Sequence, residues 1–373
     1  MDFAFDEEQD AVRELAARIL GDLSTPEHLK EVEATEDRVD RKVFAELASA
    51  GLLGVALPES CGGAGLGFLA AAIVAEEVGR HAAAVPFTAS VVLGAMPIAQ
   101  FGNAAQQQAW LPGAVAGDTV LTAALVEPGA DPWSPRLRAR RHGQGWRLDG
   151  VKAEVPAGSI ADAVVVSART EDDHVALFVV DPTAAGMTRH RQEATDWQIE
   201  AQIELSGVTV GPEALLIAGE EGAAALRWVL ERGATAYCLE VAGACQAAVK
   251  LTAAYTAERH QFGKPIASFQ AVGQRAADAY IDTEGVRLTA WQAAWRLAEG
   301  LPAAAEVAVA KYWADEGAQR AVHGAQHLHG GVGVDRDYPL HRHFLRTKHL
   351  ALALGGTTPS LLRLGRILAD EPA

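Results

Sequence analysis

Two short segments of the chain carry the side chains best suited to hold a phosphorylated ligand. The first runs from Glu258 to Pro265 and contains Arg259, whose planar guanidinium pairs with a pyrophosphate better than a point charge does. The second runs from Gln326 to Gly333, where an amide side chain is followed by glycines whose N–H groups can approach an anion closely. Taken singly, such an arginine is more often part of a surface ion pair, and such glycines more often form a turn after a helix. Together, in an acidic chain, they indicate a local anion-binding function.

The composition narrows the range of partners. The 373 residues carry a formal charge of −16, so neither a nucleic-acid surface nor an anionic-membrane surface is expected. Cys61, Cys238 and Cys245 form neither a paired framework nor a metal-binding spacing, which favours a reduced cytoplasm. His341 and His343 lack acidic or cysteine partners at ligand spacing, so no metal is expected. The N-terminus is acidic and no apolar run reaches the roughly 20 residues of a membrane span, which predicts a protein without a membrane segment.

The periodicity of apolar residues changes twice along the chain. From Asp6 to about Gly117 they recur every three or four positions, which predicts helices, broken by a glycine-rich loop from Pro58 to Gly67. From about Val120 to Leu216 the period is two, which predicts antiparallel strands. A long helix is then predicted from Gly222 to Glu258. Further helices are expected near 271–300, 302–328 and 361–369, and the predicted domains are 1–119, 120–218 and 219–373.

In order and spacing, these segments resemble the acyl-CoA dehydrogenase family over essentially the whole chain. The matching motifs are Pro58-Glu59 with Gly62-Gly63-Ala64-Gly65, Val126-Glu127-Pro128-Gly129-Ala130, Arg259 to Pro265 with Phe269-Gln270, and Gln326 with Gly330-Gly331-Val332-Gly333. The resemblance implies an α+β, mainly α fold with an N-terminal helical domain, a middle antiparallel β domain and a C-terminal four-helix bundle. It also implies FAD as the cofactor and an acyl-CoA thioester as the substrate.

The resemblance assigns candidate FAD contacts as well. In similar family members, both segments reach across a subunit interface and hold the ADP half of a flavin that the neighbouring subunit mainly binds. The matching positions in this chain are Arg259, Gln261, Phe262, Gln270, Gln326, Gly330, Gly331 and Thr357.

The family's reaction needs a carboxylate that removes the α proton of the thioester while the β hydrogen leaves as hydride. Most members place a glutamate before a Gly-Thr near the C-terminus, where this chain has Gly355 or, after a one-residue shift, Leu354. A second family solution places it on the long helix, where Gly233 stands. Glu231 lies about 200° around the helix from that position, so it cannot replace the base without a change of register. No base is therefore expected at the usual positions.

Two other glutamates are weak candidates for the base. Glu240 interrupts an apolar run, although a buried ion pair explains it equally well. Glu154 falls where the family usually has an aromatic side chain near the flavin ring, and Pro132 and Pro156 stand where it usually offers hydroxyls. Groups that would serve a neighbour's flavin are thus retained, whereas groups that would serve the chain's own flavin and substrate are lost.

This asymmetry favours a base-lacking subunit of a hetero-oligomer, in which a homologous subunit supplies the base, the flavin bed and the acyl pocket. Paired family members of this kind form α2β2 tetramers in actinobacterial steroid side-chain β-oxidation. Three alternatives stay open: a homotetramer whose base lies at an unusual position, a non-catalytic scaffold that binds no flavin, and a flavin monooxygenase of the same fold.

Overall fold

The computed structural model describes residues 4–370, and in it the chain groups into two compact units. What we call the helical unit is built from the segments up to Val32, from Ala72 to Ala84 and from Ala234 onward. The sheet unit comprises Glu33–Ala71 and Val85–Gly233. Along the chain, helices are followed by strands and again by helices, which confirms the order predicted from the sequence.

Side-chain caps define the starts of several helices. Asp6 and Gln9 form a reciprocal capping box at the first helix, and Asn103 and Gln106 form another at the sixth. The α-helices within residues 4–370 are α1 (Glu7–Leu23), α2 (Pro26–Glu33), α3 (Arg41–Ser49), α4 (Gly67–Arg80), α5 (Met96–Phe101), α6 (Ala104–Ala116), α7 (Gly222–Glu258), α8 (Gln270–Ala298), α9 (Ala304–Tyr312), α10 (Ala318–His329), α11 (Leu340–Leu352) and α12 (Thr357–Asp370).

The middle of the chain folds into one sheet with the strand order β6-β7-β3-β2-β4-β5-β8, and β1 also pairs with β4. Its strands are β1 (Leu121–Ala124), β2 (Arg138–His142), β3 (Gly145–Pro156), β4 (Ala163–Thr170), β5 (Val175–Val180), β6 (Met187–Glu193), β7 (Ile199–Val210) and β8 (Leu215–Ile217). A separate hairpin pairs β9 (His260–Gln261) with β10 (Lys264–Pro265). The large sheet is antiparallel as predicted, except that β4 pairs in parallel with β1 and β2. Its core includes Leu148, Val166, Phe178 and Ile203, all fully buried.

The loop from Pro58 to Gly67 has the unusual backbone predicted for it. Gly62, Gly65 and Gly67 adopt φ angles of 87°, 69° and 74°, a region that L side chains avoid. These angles are unusual for L residues but accessible to glycine, so the prediction of a glycine loop with several unusual backbone angles is confirmed.

Two helices of the helical unit cross at a pair of glycines. A β-carbon at Gly79 of α4 would lie 1.9 Å from the carbonyl oxygen of Glu240, and one at Gly243 of α7 would lie 2.0 Å from that of Glu76. Both separations are far below van der Waals contact, so the crossing exists only because neither residue has a side chain.

Helix α11 was not predicted from the sequence. Its buried residues include His341, Arg342, His343 and Arg346, so its buried face does not show an apolar period. Two π-helical stretches, Thr88–Ala95 and Trp313–Gly317, also went unpredicted, and the second interrupts the helix expected over 302–328. No helix among the described residues has the length and apolar character needed to cross a bilayer.

Candidate cofactor-binding site

The segment that follows α7 forms a tight β-hairpin. Its two turn residues, Phe262 and Gly263, have left-handed backbones with φ angles of 53° and 82°. Two successive left-handed residues match the twist of paired strands and close a two-residue hairpin. Phe262 stands at the tip with 92% of its surface exposed. The hairpin therefore presents a large ring to solvent immediately after Arg259.

Arg259 lies at the junction of helix and hairpin. Its N–H donates to the carbonyl of Tyr255 at 2.8 Å, and its own carbonyl accepts from the N–H of Ile266 at 2.8 Å. These bonds fix the backbone, while the side chain is exposed and forms no ion pair or hydrogen bond with residues 4–370. The surface ion pair with Glu258 that the sequence left open is not formed, so the guanidinium is available to an anion.

Gln326 lies one turn before the end of α10, and a 3₁₀ turn from Gly330 to Val334 follows that helix. The side-chain Oε1 of Gln326 is buried and has no hydrogen-bond partner in the described part of the chain. A β-carbon at Gly333 would stand 3.2 Å from Cγ of Gln326, so glycine allows the turn to lie closely against this side chain. At Gly330 and Gly331, by contrast, a β-carbon would meet open space. An amide acceptor and an accessible glycine backbone thus lie together.

An aromatic cluster around the buried His329 links the hairpin to the glycine turn. The imidazole of His329 stacks on Tyr255 with ring centroids 4.5 Å apart, and its Nε2 lies 3.1 Å from the hydroxyl of Tyr338. Its Nδ1 lies 2.8 Å from the carbonyl of Ala325, and burial lowers the pKa of His329, so the ring is uncharged at neutral pH. Because Tyr255 also accepts the N–H of Arg259, one cluster supports both segments. His329 was not predicted from the sequence, although its place directly before Gly330 was a usable signal.

The remaining predicted FAD contacts lie around the hairpin or apart from it. Gln261 is on β9, where its Nε2 donates to the carbonyl of His260 at 2.9 Å. Gln270 begins α8 and is exposed, and the preceding Phe269 packs edge-on against Phe262 at 6.1 Å. Thr357 begins α12, which packs along α9. The structure thus groups every predicted position except Thr357 around the hairpin and the glycine turn, and the flavin contacts themselves stay predictions.

The first of the two positions predicted for the base follows α11. Leu354 and Gly355 have φ angles of 58° and 112°, so the backbone there suits glycine and disfavours glutamate. Lys311 holds the end of the helix by donating to the carbonyls of Leu350 and Ala351 at 2.9 and 3.0 Å. The chain therefore has a fixed, left-handed turn without a carboxylate at the position where the resemblance predicts the base.

The second position for the base is Gly233, which is buried in α7. That helix is continuous from Gly222 to Glu258. No change of register therefore brings Glu231 to the face of Gly233. Next to it, Arg232 packs over the ring of Trp228 at 4.0 Å, and burial lowers its pKa to about 10.

Glu240 makes the contacts of a buried ion pair. Nη1 of Arg346 donates to its Oε2 at 2.9 Å, and Nη2 of the same arginine donates to the carbonyl of Ala83 at 2.7 Å. Both side chains are buried. A carboxylate engaged in this way is poorly placed to accept a substrate proton, so the structure favours the ion pair of the two explanations that the sequence allowed.

Glu154 lies on an irregular part of β3. The pairing of β3 with β7 shifts register between Lys152 and Val155, and Glu154 itself has a φ of 50°. Its side chain is exposed, and its N–H donates to Oε1 of Gln192 at 3.3 Å. A base for this reaction needs a water-poor pocket, which an exposed strand residue lacks.

Glu127, in the motif before β2, has a structural role. Lys152 is fully buried and donates to Oε1 of Glu127 at 2.6 Å and to Oγ of Ser167 at 2.9 Å. The N–H groups of Arg136 and Leu137 also donate to the Glu127 carboxylate. Burial lowers the pKa of Lys152 to about 8, against the opposing effect of Glu127. The pair fixes the motif to the sheet.

The histidines of α11 are not arranged as metal ligands. Nδ1 of His341 lies 2.7 Å from the carbonyl of Tyr338, and His343 is buried. Among residues 4–370, no group of three or more His, Cys, Asp or Glu side chains is arranged to hold a metal ion.

Comparison with known proteins finds matches along the chain. Residues 6–118 match the family model for the acyl-CoA dehydrogenase N-terminal domain, and residues 220–366 match the model for the C-terminal domain. The chain is 41% identical to acyl-CoA dehydrogenase FadE27 of Mycobacterium tuberculosis, with all of both chains covered. It is similar to one chain of the solved ChsE4-ChsE5 complex from Mycobacterium tuberculosis, at a TM-score of 0.95 and 40% identity. The match covers all of this chain and all of that chain. A variant of the Tcur3481-Tcur3483 steroid ACAD matches at a TM-score of 0.91 and 43% identity over 98% of each chain.

Proposed function

The chain belongs to the acyl-CoA dehydrogenase family, and we propose that it is the base-lacking subunit of a hetero-oligomeric, FAD-dependent acyl-CoA dehydrogenase. One contrast carries this proposal. Arg259 and Gln326 present unused hydrogen-bonding groups suited to a dinucleotide, whereas Gly233 and Gly355 occupy the positions of the base. The chain completes a flavin site for which a homologous subunit supplies the carboxylate.

The hairpin and the glycine turn fit the ADP half of FAD. The guanidinium of Arg259 can pair with the pyrophosphate, because it has no partner among the described residues. The buried Oε1 of Gln326 lacks a donor within the described chain, and Gly330 and Gly331 leave open space for close approach of a ligand. A bound FAD would supply the acceptor for the hydride that leaves the β carbon of the acyl thioester. The neutral His329 keeps these binding groups in position without adding charge.

The relatives support a proposal for the substrate class and the assembly. One similar structure is described as a steroid ACAD, and another as a complex of ChsE4 with ChsE5. We therefore propose an acyl-CoA thioester with a steroid body as the substrate and an α2β2 arrangement of two homologous subunits. We also propose a cytoplasmic location, because Cys61, Cys238 and Cys245 are free thiols, as is usual in a reducing compartment.

The surroundings of the other glutamates argue against a homotetramer with a base of its own. Glu240 is engaged by Arg346, and Glu154 is exposed on a strand. Neither carboxylate has the water-poor, unpaired surroundings that raise the pKa of a carboxylic acid toward neutrality.

The test is the flavin content, measured by absorbance. It is measured first for the isolated chain and then for the chain co-purified with a homologous dehydrogenase subunit. We expect little flavin in the isolated chain and one flavin for each pair of unlike subunits in the complex. One flavin per isolated chain with turnover of acyl-CoA would support the homotetramer instead. A colourless complex would support a scaffold, and oxygen-dependent turnover would support a monooxygenase.

A further inference from the structure

The helical unit contains a cleft of about 450 Å³ that is separate from the hairpin and the glycine turn. Its apolar wall includes Leu29 of α2, Leu251 of α7 and Pro339 before α11. This volume lies within the range of small-molecule sites, and a mainly apolar wall with a few polar groups is typical of them. The cleft therefore has the size and surface of a ligand site rather than of a packing defect.

The charged groups around the cleft are all positive. Among the described residues that line it, none is acidic, whereas Arg80, Lys250 and Arg342 are cationic. Arg80 is already neutralised, because its Nε lies 2.9 Å from Glu77 and its Nη2 lies 3.4 Å from Glu76. Lys250 is exposed at the rim and has no carboxylate partner within residues 4–370. In a chain of net charge −16, the cleft is a local cationic site.

Two buried polar groups in the cleft lack partners. Ser24 and His343 are only 9% and 6% exposed. Within the described chain, neither Oγ of Ser24 nor Nδ1 of His343 has a hydrogen-bond partner. A buried polar group without a partner is costly, so a ligand that either atom reaches after a change of side-chain rotamer removes that cost.

The imidazole of His343 is uncharged at neutral pH. Burial is the main cause of its low pKa, and the neighbouring His81, Arg346, Arg342 and His341 lower it further, to about 3. A neutral imidazole carries one N–H, so Nδ1 can donate to an anion when it holds that hydrogen.

We propose that this cleft binds a small organic monoanion with an apolar body, of the alkyl carboxylate class. The carboxylate would be met by the Lys250 ammonium and by donors from Ser24 and His343, and the alkyl part would cover Leu29 and Leu251. A dianionic phosphate fits less well, because Glu76 and Glu77 already neutralise Arg80.

Calorimetric titration of the full-length chain with sodium octanoate tests the proposal, with 1-octanol and inorganic phosphate as comparison probes. We expect octanoate to bind and the other two probes to bind at least tenfold more weakly. Binding of octanol as strong as that of octanoate would reduce the cleft to an apolar groove and overturn the proposal. Equally strong binding of phosphate would refute the requirement for an apolar body in the ligand. Absence of octanoate binding would refute the proposed ligand site.

Variants locate the binding. Lys250→Met should weaken octanoate binding about tenfold, and Ser24→Ala about fivefold, because each removes one donor to the carboxylate. Lys42→Met, at an exposed lysine on α3, is the matched control and should leave binding unchanged. Flavin content of the co-purified complex should be unchanged in all three variants. Octanoate binding that survives both cleft substitutions would place the ligand elsewhere and refute the proposal.

Discussion

At the scale of single residues, cations fall into two groups. Arg346 and Lys152 are buried and engaged by Glu240 and Glu127, and they hold the structure together. Arg259 is exposed and makes no ion pair within residues 4–370. Its place between the hairpin and the glycine turn distinguishes this arginine from other exposed cations as a binding group.

Arg259→Gln should lower the flavin content of the complex. The variant loses a charged, forked donor to the pyrophosphate, and the loss of about 1.5 to 3 kcal/mol corresponds to FAD binding weaker by about tenfold or more. Flavin absorbance per chain after desalting measures the effect.

The matched control for that experiment is Arg140→Gln, at an exposed arginine of β2. It should retain the flavin content of the wild type. Equal flavin loss in both variants would assign the effect to net charge and contradict a specific role for Arg259.

Local motifs were enough to name Arg259 and Gln326 as candidate FAD contacts, because their neighbours in sequence are also their neighbours in space. The partner of Glu240 could not be predicted in this way, since Arg346 is 106 positions away and lies on a helix that the sequence did not indicate. The support from His329 likewise depends on stacking against Tyr255, which no spacing rule contains.

At the scale of elements, the crossing of α4 and α7 depends on Gly79 and Gly243. Gly243→Ala should lower the free energy of unfolding by about 1 to 3 kcal/mol, because the added methyl group meets the Glu76 carbonyl and forces the helices apart. Urea unfolding measures this change. Gly365→Ala in α12, where a β-carbon meets open space, is the control and should be neutral or slightly stabilising. Equal stability of the two variants would mean that the crossing adjusts without strain.

The π-helical stretch before α10 predicts a pH dependence. Asp315 lies 2.9 Å from Nζ of Lys311, and burial raises its pKa from 3.8 to about 7. Between these values the folded chain retains a proton that the unfolded chain has released. The contribution of Asp315 to the free energy of unfolding should therefore fall as pH rises from about 4 to 7, by about 1.4 kcal/mol per pH unit.

Asp315→Asn should remove that contribution. Urea unfolding of wild type and variant across this pH range gives the difference between them, which should decline with rising pH. Asp118→Asn, at an exposed aspartate, should show no such trend. A difference independent of pH would mean that Asp315 is ionised throughout.

Elements with a clear apolar period were predicted, and those without one were not. Strand β7 alternates between buried and less buried residues along most of its length, as a period of two requires, whereas β4 and β5 are buried almost throughout. Helix α11 buries histidines and arginines, so the signal that identifies a helix was missing there. The parallel pairing of β4 with β1 and β2 depends on contacts distant in sequence, which periodicity does not determine.

At the scale of the whole molecule, the helical unit exposes more apolar surface than packing within one chain explains. Ile281 and Leu288, seven positions apart on one face of α8, are 63% and 60% exposed, and Phe262 projects from the hairpin. Exposed apolar side chains at such spacing mark a surface that an assembly covers.

Leu288→Lys should therefore weaken association with the homologous subunit, because it places a charge within an apolar contact. Light scattering after size-exclusion chromatography should show a smaller mass for the variant complex at micromolar concentration. Leu301→Lys, at a partly exposed leucine between α8 and α9, is the control. An unchanged mass for the Leu288 variant would exclude this face of α8 from the interface.

The left-handed backbone at Gly355 has an evolutionary consequence. A glycine codon lies a single nucleotide change from a glutamate codon, so mutation can return a carboxyl group to this position repeatedly. With φ at 112°, each such return would meet a backbone that L residues avoid, at a cost of about 1 to 2 kcal/mol, and its side chain would leave the turn in a direction set by that backbone. Under the proposed function, in which a homologous subunit supplies the acid, this turn makes the return of a base to this chain unfavourable.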